Sequence, residues 1–228
     1  MTALADVLAR ADVWRGDCVA AAPLPTVASG FAALDAHLPG GGWPRGALIE
    51  LLVDGCGLGE VSLLLPALRA VRAEGGWSVV VAPPYPLHAP AWAAAGIDFS
   101  HLAVVSPASE RDALWAMEQA LASGAPGLVL AWAAWADARA LRRLQVAAAG
   151  GRALALLFRP LHAAGEASPA PLRLALAAST EGELSVRMLK RRGPPTATPI
   201  ELALPHPARY YGHGRSLARH PSARAVCV

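Results

Sequence analysis

The run Ala47-Leu-Ile-Glu-Leu-Leu-Val53, closed by Asp54-Gly-Cys-Gly-Leu-Gly-Glu60 and followed by Val61, Leu64, Leu65, Leu68 and Val71, decides the fold. Seven mostly aliphatic residues with no polar alternation suit a strand buried on both faces, the mark of a parallel sheet covered by helices. Beyond the glycines the apolar spacing becomes three and four, which is helical, and the helix stops at Gly75-Gly76. The unit then repeats. Trp77 to Val81 is predicted as a strand, followed by a turn through Pro83, Pro84 and Pro86, a short helix near His88 to Ala95, and a strand at Leu102 to Val105. Further on come a helix over Glu110 to Leu121, a strand over Gly127 to Ala131, a helix over Asp137 to Ala149 and a strand over Ala153 to Phe158. Alternation of this kind predicts an α/β fold with a mostly parallel central sheet flanked by helices.

Upstream, Ser29 is placed to cap a short helix ending at the glycine run Gly40 to Gly42, and Pro44 to Gly46 turn the chain into the first core strand. Before that, Leu4, Val7, Leu8 and Val13 line one side of a short helix, an arm that precedes the Pro23 and Pro25 linker. Downstream, Leu172 to Ala177, Leu184 to Leu189 and Ile200 to Leu204 read as antiparallel edge strands or hairpins. After Pro205 aliphatic residues thin out and arginines dominate, so the chain is expected to be disordered. Three parts result: an arm and linker over 1–25, a core over 26–204 and a basic tail over 205–228.

Composition bounds the function. Of 228 residues, 54% are hydrophobic and 16% charged, which excludes disorder as the overall state. The longest apolar stretch, Ala125 to Ala136, falls short of the ~18–20 residues that a membrane span needs and contains Pro126. Asp6, Asp12 and Asp17 occupy the place where a signal peptide is basic and then apolar, so a cytoplasmic location is expected. Cys18, Cys56 and Cys227 are too scattered for a disulfide framework or a metal doublet, and no cofactor is expected. Residues 1–186 hold 12 basic and 16 acidic side chains, whereas 187–228 hold 8 and 1. The tail either meets an anionic partner or is simply solvated.

A Gly-rich loop between strand and helix invites phosphate, yet the spacing G-x-x-x-x-G-K-[ST] places Asp54 at the first glycine of a P-loop, Glu60 at the lysine and Val61 at the hydroxyl. Gly55, Gly57 and Gly59 remain, and Ser62 supplies a hydroxyl only through a shift of register. The sole lysine of the chain, Lys190, lies far away in sequence.

The succession Ser29-Gly-Phe-Ala-Ala-Leu-Asp35, Leu38-Pro-Gly-Gly-Gly-Trp-Pro-Arg-Gly46 and Ile49-Glu-Leu-Leu52 resembles the entry of RecA-type recombinase cores into their first strand and P-loop. Ala73-Glu-Gly-Gly-Trp-Ser-Val-Val-Val81, Ala95-Gly-Ile-Asp98 and Met188-Leu-Lys-Arg-Arg-Gly193 extend the likeness over residues 26–204. With a degenerate P-loop, small size and an arginine-rich end, the chain is similar to the ImuA family, accessory factors of DNA-damage-induced mutagenesis. That resemblance implies a RecA-like, non-hydrolysing protein of translesion synthesis whose partners are RecA recombinase and an ImuB-like protein. It also implies that the positions of the recombinases' catalytic glutamate and magnesium-supporting aspartate are held by Pro84 and Ala131, in Ala82-Pro-Pro-Tyr-Pro-Leu-His88 and Gly127-Leu-Val-Leu-Ala131. Phosphoryl transfer runs on placed charges, so losing them at several independent sites leaves an ATPase without machinery.

What remains useful is surface. Leu4, Val7, Leu8 and Val13 either dock on a partner or homo-oligomer neighbour or fold on their own core. Lys190, Arg191, Arg192, Arg209, Arg215, Arg219 and Arg224, with Tyr210 and Tyr211, suit single-stranded DNA through phosphates and stacking; folding on a protein partner and plain solubility are the competing readings. His37, His88, His101 and His162 fit surface or capping roles, and Trp132 and Trp135 either fill the gap between sheet and helices or mark a contact surface. Two other functions stay open: a cell-division inhibitor of the SulA type, a RecA-related frame that binds the tubulin-like division protein, and an ATPase with an unorthodox loop.

Overall fold

The computed structural model describes residues 25–204 apart from 56, 180–182, 195 and 197. In chain order its elements are β1 (Thr26–Val27), α1 (Ala32–Asp35), β2 (Trp43–Pro44), β3 (Ala47–Val53), α2 (Leu65–Ala73), β4 (Trp77–Val81), α3 (Ala89–Ala94), β5 (Leu102–Val105), α4 (Glu110–Ala122), β6 (Pro126–Trp132), α5 (Ala138–Ala149), β7 (Leu154–Pro160), β8 (Leu172–Ala178), β9 (Leu184–Lys190) and β10 (Ile200–Leu202). Single 3-10 turns occupy Ser62–Leu64, Phe99–His101 and Leu161–Gly165.

Eight strands form one sheet in the order β10-β9-β8-β3-β7-β6-β4-β5. From β8 to β5 every neighbouring pair is parallel, whereas β9 and β10 add antiparallel. The mixed α/β architecture, with helices on a mostly parallel sheet and antiparallel strands at one edge, follows from the alternating pattern. One expectation is corrected. β8 is not an edge strand, because residues 161–171 cross over and return it parallel to β3 in the sheet interior. A 3-10 turn suffices for a connection usually made by a helix.

Residues of β3 alternate between two cores. Ile49 and Leu51 pack under α2 with Leu128, Leu130, Leu154, Leu156 and Phe158, while Leu48 faces α4 and α5 with Val129, Ala155 and Leu157. Three helices begin on side-chain acceptors: Ser109 takes the Asp112 N–H, Asp137 the Ala140 N–H and His88 the Ala91 N–H. Ser29 does not cap α1. Its hydroxyl accepts the Phe31 N–H and its own N–H donates to Asp35, forming a turn one step earlier, and Phe31 stands at the N-cap without a side-chain bond. β1 and β2 pair as a separate antiparallel ribbon. Among the described residues no helix is long and apolar enough to cross a membrane.

Candidate functional site: the carboxyl edge of the sheet

Parallel strands end together, and in open α/β sheets ligands meet the carboxyl ends. At the end of β3 the loop over Asp54 to Glu60 turns through three left-handed glycines, Gly55 (φ 113°), Gly57 (φ 85°) and Gly59 (φ 84°). Asp54, Gly55 and Gly57 are exposed, but Glu60 is buried and its carboxylate accepts the Gly57 N–H at 3.3 Å. A side chain added at Gly59 would lie 2.6 Å from the Leu204 methyl. Val61 and Leu58 pack on the core, and Ser62 opens the 3-10 turn that leads into α2. The loop therefore closes on an anion of its own, and Leu204 lies over it. A second anion beside Glu60 would meet like charge in a poorly solvated site.

The neighbouring strand ends carry no acid at the expected places. β6 reaches buried Ala131, then Trp132, whose ring stacks on Phe158 at 4.9 Å and 18° and packs against the hydrophobic core. Three residues later Trp135 is 62% exposed. Glu110 pins this turn, its two carboxylate oxygens accepting the Ala134 and Trp135 N–H groups at 3.0 and 3.2 Å. β4 is followed at once by Ala82, a non-glycine residue at φ 51° whose N–H donates to the Val105 carbonyl at 2.8 Å. Pro84 and Tyr85 are exposed in the proline-rich turn that follows, and Val104 and Val105 are exposed on β5, the outermost strand. Consecutive strand ends β6, β4 and β5 thus present Trp135 and Tyr85 on turns held by hydrogen bonds and prolines, and Val105 at the end of β5 itself. Such a surface suits protein contact.

Beneath the same edge lies a group that the sequence reading passed over. Glu50, in the middle of β3, is fully buried; its carboxylate accepts from Arg173 Nε at 2.5 Å, Ser168 Oγ at 3.0 Å and Arg159 Nη1 at 3.5 Å. Arg159 also reaches Glu166 at 2.8 Å, and Arg173 donates to the Ala163 carbonyl at 2.7 Å and the Glu166 carbonyl at 3.1 Å. One buried carboxylate therefore ties β3, β7 and β8 to the 161–171 crossover. The Arg159 hydrogen bond holds the Glu166 carboxyl below its ordinary range. A carboxylate inside a run that is apolar on both faces was the available signal, since it requires a cationic partner.

Of the basic residues singled out, Lys190 donates to the Ser168 carbonyl at 2.8 Å, and Arg191 to the carbonyls of Pro194 at 2.8 Å and His37 at 2.5 Å. Arg192 is exposed. Arg191 thus clamps the end of β9 to the segment after α1. Leu4, Val7, Leu8, Val13, Arg209, Tyr210, Tyr211, Arg215, Arg219 and Arg224 lie outside the described residues.

Comparison with known proteins separates the readings. A family model described as "Cell division inhibitor SulA" matches residues 54–155, from the glycine loop into β7. The cell division inhibitor SulA of Photorhabdus laumondii subsp. laumondii is 33% identical over 111 residues, 49% of this chain and 63% of that protein. That of Edwardsiella piscicida is 30% identical over 118 residues, 51% of this chain and 70% of that protein. The chain therefore spans 63% to 70% of the length of these relatives. These matches overturn the ImuA resemblance and, with it, the translesion role and the RecA and ImuB-like partners. With a relative 30% identical and covered over 70% of its length, the chain belongs to the SulA family of cell division inhibitors.

Proposed function

We propose that this protein inhibits cell division by docking on the tubulin-like division protein, and that it does so through the carboxyl edge of its sheet without hydrolysing a nucleotide. The frame is RecA-like in this reading, with the arm over 1–25, the core over 26–204 and the tail over 205–228, and the loop over Asp54 to Ser62 is a degenerate P-loop. Family membership supports inhibition. The observation that carries the docking edge is the apolar set Trp135, Tyr85 and Val105 on adjacent strand ends, beside a loop that turns its carboxylate inward. A site that held a triphosphate would need the opposite, charged groups turned outward.

The test is polymerisation of the purified division protein followed by light scattering. The full chain is expected to suppress assembly, and a Trp135→Ala, Tyr85→Ala double variant to lose most of that effect while keeping its melting temperature. Undiminished inhibition by the double variant would place the docking surface elsewhere. No inhibition by the parent chain would refute the function itself.

A further inference from the structure

α4 and α5 lie side by side on the sheet face away from α2, and their outer surfaces enclose an open groove of about 450 Å³. Arg139, Arg142, Arg143 and Val146 follow one another at helical spacing along one wall. Arg143 is paired with Glu118 at 3.1 Å across the groove, which leaves Arg139 and Arg142 without a carboxylate partner among the described residues. Val146 is 66% exposed, and Ala122 and Ala147 line the groove beside it. The placement runs against the local composition, since three of the 12 basic residues in the net acidic stretch 1–186 gather here.

We propose that this groove receives an acidic amphipathic helix of a partner protein. At ~1.5 Å of rise per residue, Arg139 and Arg142 lie ~4.5 Å apart along α5 and Val146 ~6 Å beyond. The matching ligand carries two carboxylates within one turn and an aliphatic residue one turn further on. Nucleic acid fits less well. Ala122, Val146 and Ala147 make the rest of the lining apolar, and a phosphate backbone has no aliphatic group to place on them, whereas an amphipathic helix does. The groove's lining includes none of Trp135, Tyr85 and Val105, so it adds a second contact to the function proposed above.

A displayed library of helical peptides is selected on the full-length chain, counter-selected on the R139E/R142E variant, and the recovered peptides are measured by fluorescence anisotropy. The expected peptides carry the two acids and the aliphatic residue, bind the parent about tenfold or more tighter than R139E/R142E, and weaken on V146E. Peptides with the acids changed to lysine should regain binding to R139E/R142E, a rescue that a misfolded variant would not give. Trp135→Ala should leave peptide binding unchanged, which keeps this test apart from the docking edge. Recovered peptides lacking the acidic pair, equal binding to the variant, or no enrichment overturns the proposal. So does a 20-bp duplex that binds in place of peptides and is lost on R139E/R142E, or a dimer of the chain that V146E dissociates.

Discussion

Glu50→Gln keeps the shape of the side chain and removes the charge on which two arginines converge. Arg159 and Glu50 are 1% and 0% exposed at the side chain, and Arg173 is 8% exposed. Removing one member of a buried pair costs about 3–5 kcal/mol, because the remaining charge stays desolvated. The residual partners temper this only in part: Arg159 keeps Glu166, whose side chain is 48% exposed, and Arg173 keeps backbone carbonyls. For a domain of this size each kcal/mol lowers the melting temperature by about 2–4 °C, so the loss should be about 6–20 °C. Total stability is typically about 5–15 kcal/mol, so the upper end approaches unfolding.

Ser168→Ala serves where Glu50→Gln does not fold. It deletes one hydrogen bond to the same carboxylate, worth about 1.5–3 kcal/mol, and leaves the charges in place. Urea denaturation followed by circular dichroism gives both values. A third variant separates charge from volume: Glu50→Leu with Arg159→Met and Arg173→Met removes the whole set, and apolar replacement of a complete buried cluster is often neutral or stabilising. Glu50→Gln within about 1 kcal/mol of the parent would refute the reasoning, as would a triple variant that is less stable than the single one.

Asp98 is held far below the ordinary carboxylate range, first by the Ser100 N–H, then by the Ser100 hydroxyl and the Arg72 guanidinium. A depressed folded pKa contributes stability that is present above the unfolded value of 3.8 and lost as pH falls below it. Asp98→Asn should therefore lower the melting temperature at pH 6, and the difference from the parent should shrink progressively below pH ~4; a difference of the same size at pH 6 and at pH 2 would contradict this assignment. On the reading proposed above, with Pro84 and Ala131 at the lost acid positions, Glu60→Lys should give no ATP turnover in a coupled assay, and measurable hydrolysis would show that other residues supply the charge. Arg191→Ala should cost about 1.5–3 kcal/mol by freeing the His37 and Pro194 carbonyls, read by thermal melting, whereas an unchanged melt would mean that the clamp is solvated.

The strands and helices were legible because period alone determines them. The predicted strands Ala47 to Val53, Trp77 to Val81 and Leu102 to Val105 match β3, β4 and β5 at both ends, and Glu110 to Leu121 lies one residue short of α4. What period cannot supply is the partner across the sheet. Glu50 meets residues 109 and 123 positions away, and β8 became interior through a crossover with no helical signature. The same limit explains the misjudged family. The residues that carried the ImuA resemblance are short local patterns, whereas a docking surface forms only when distant loops are brought to one edge. Tyr85 and Trp135 lie 50 residues apart in sequence, yet they follow the ends of neighbouring strands. Charge reads differently for the same reason: Lys190 and Arg191, adjacent in a basic run, both hold carbonyls, while Arg139 and Arg142 on α5 have no carboxylate partner among the described residues. Satisfied charge positions the fold, and unsatisfied charge on a described surface is where a partner gains the most by binding.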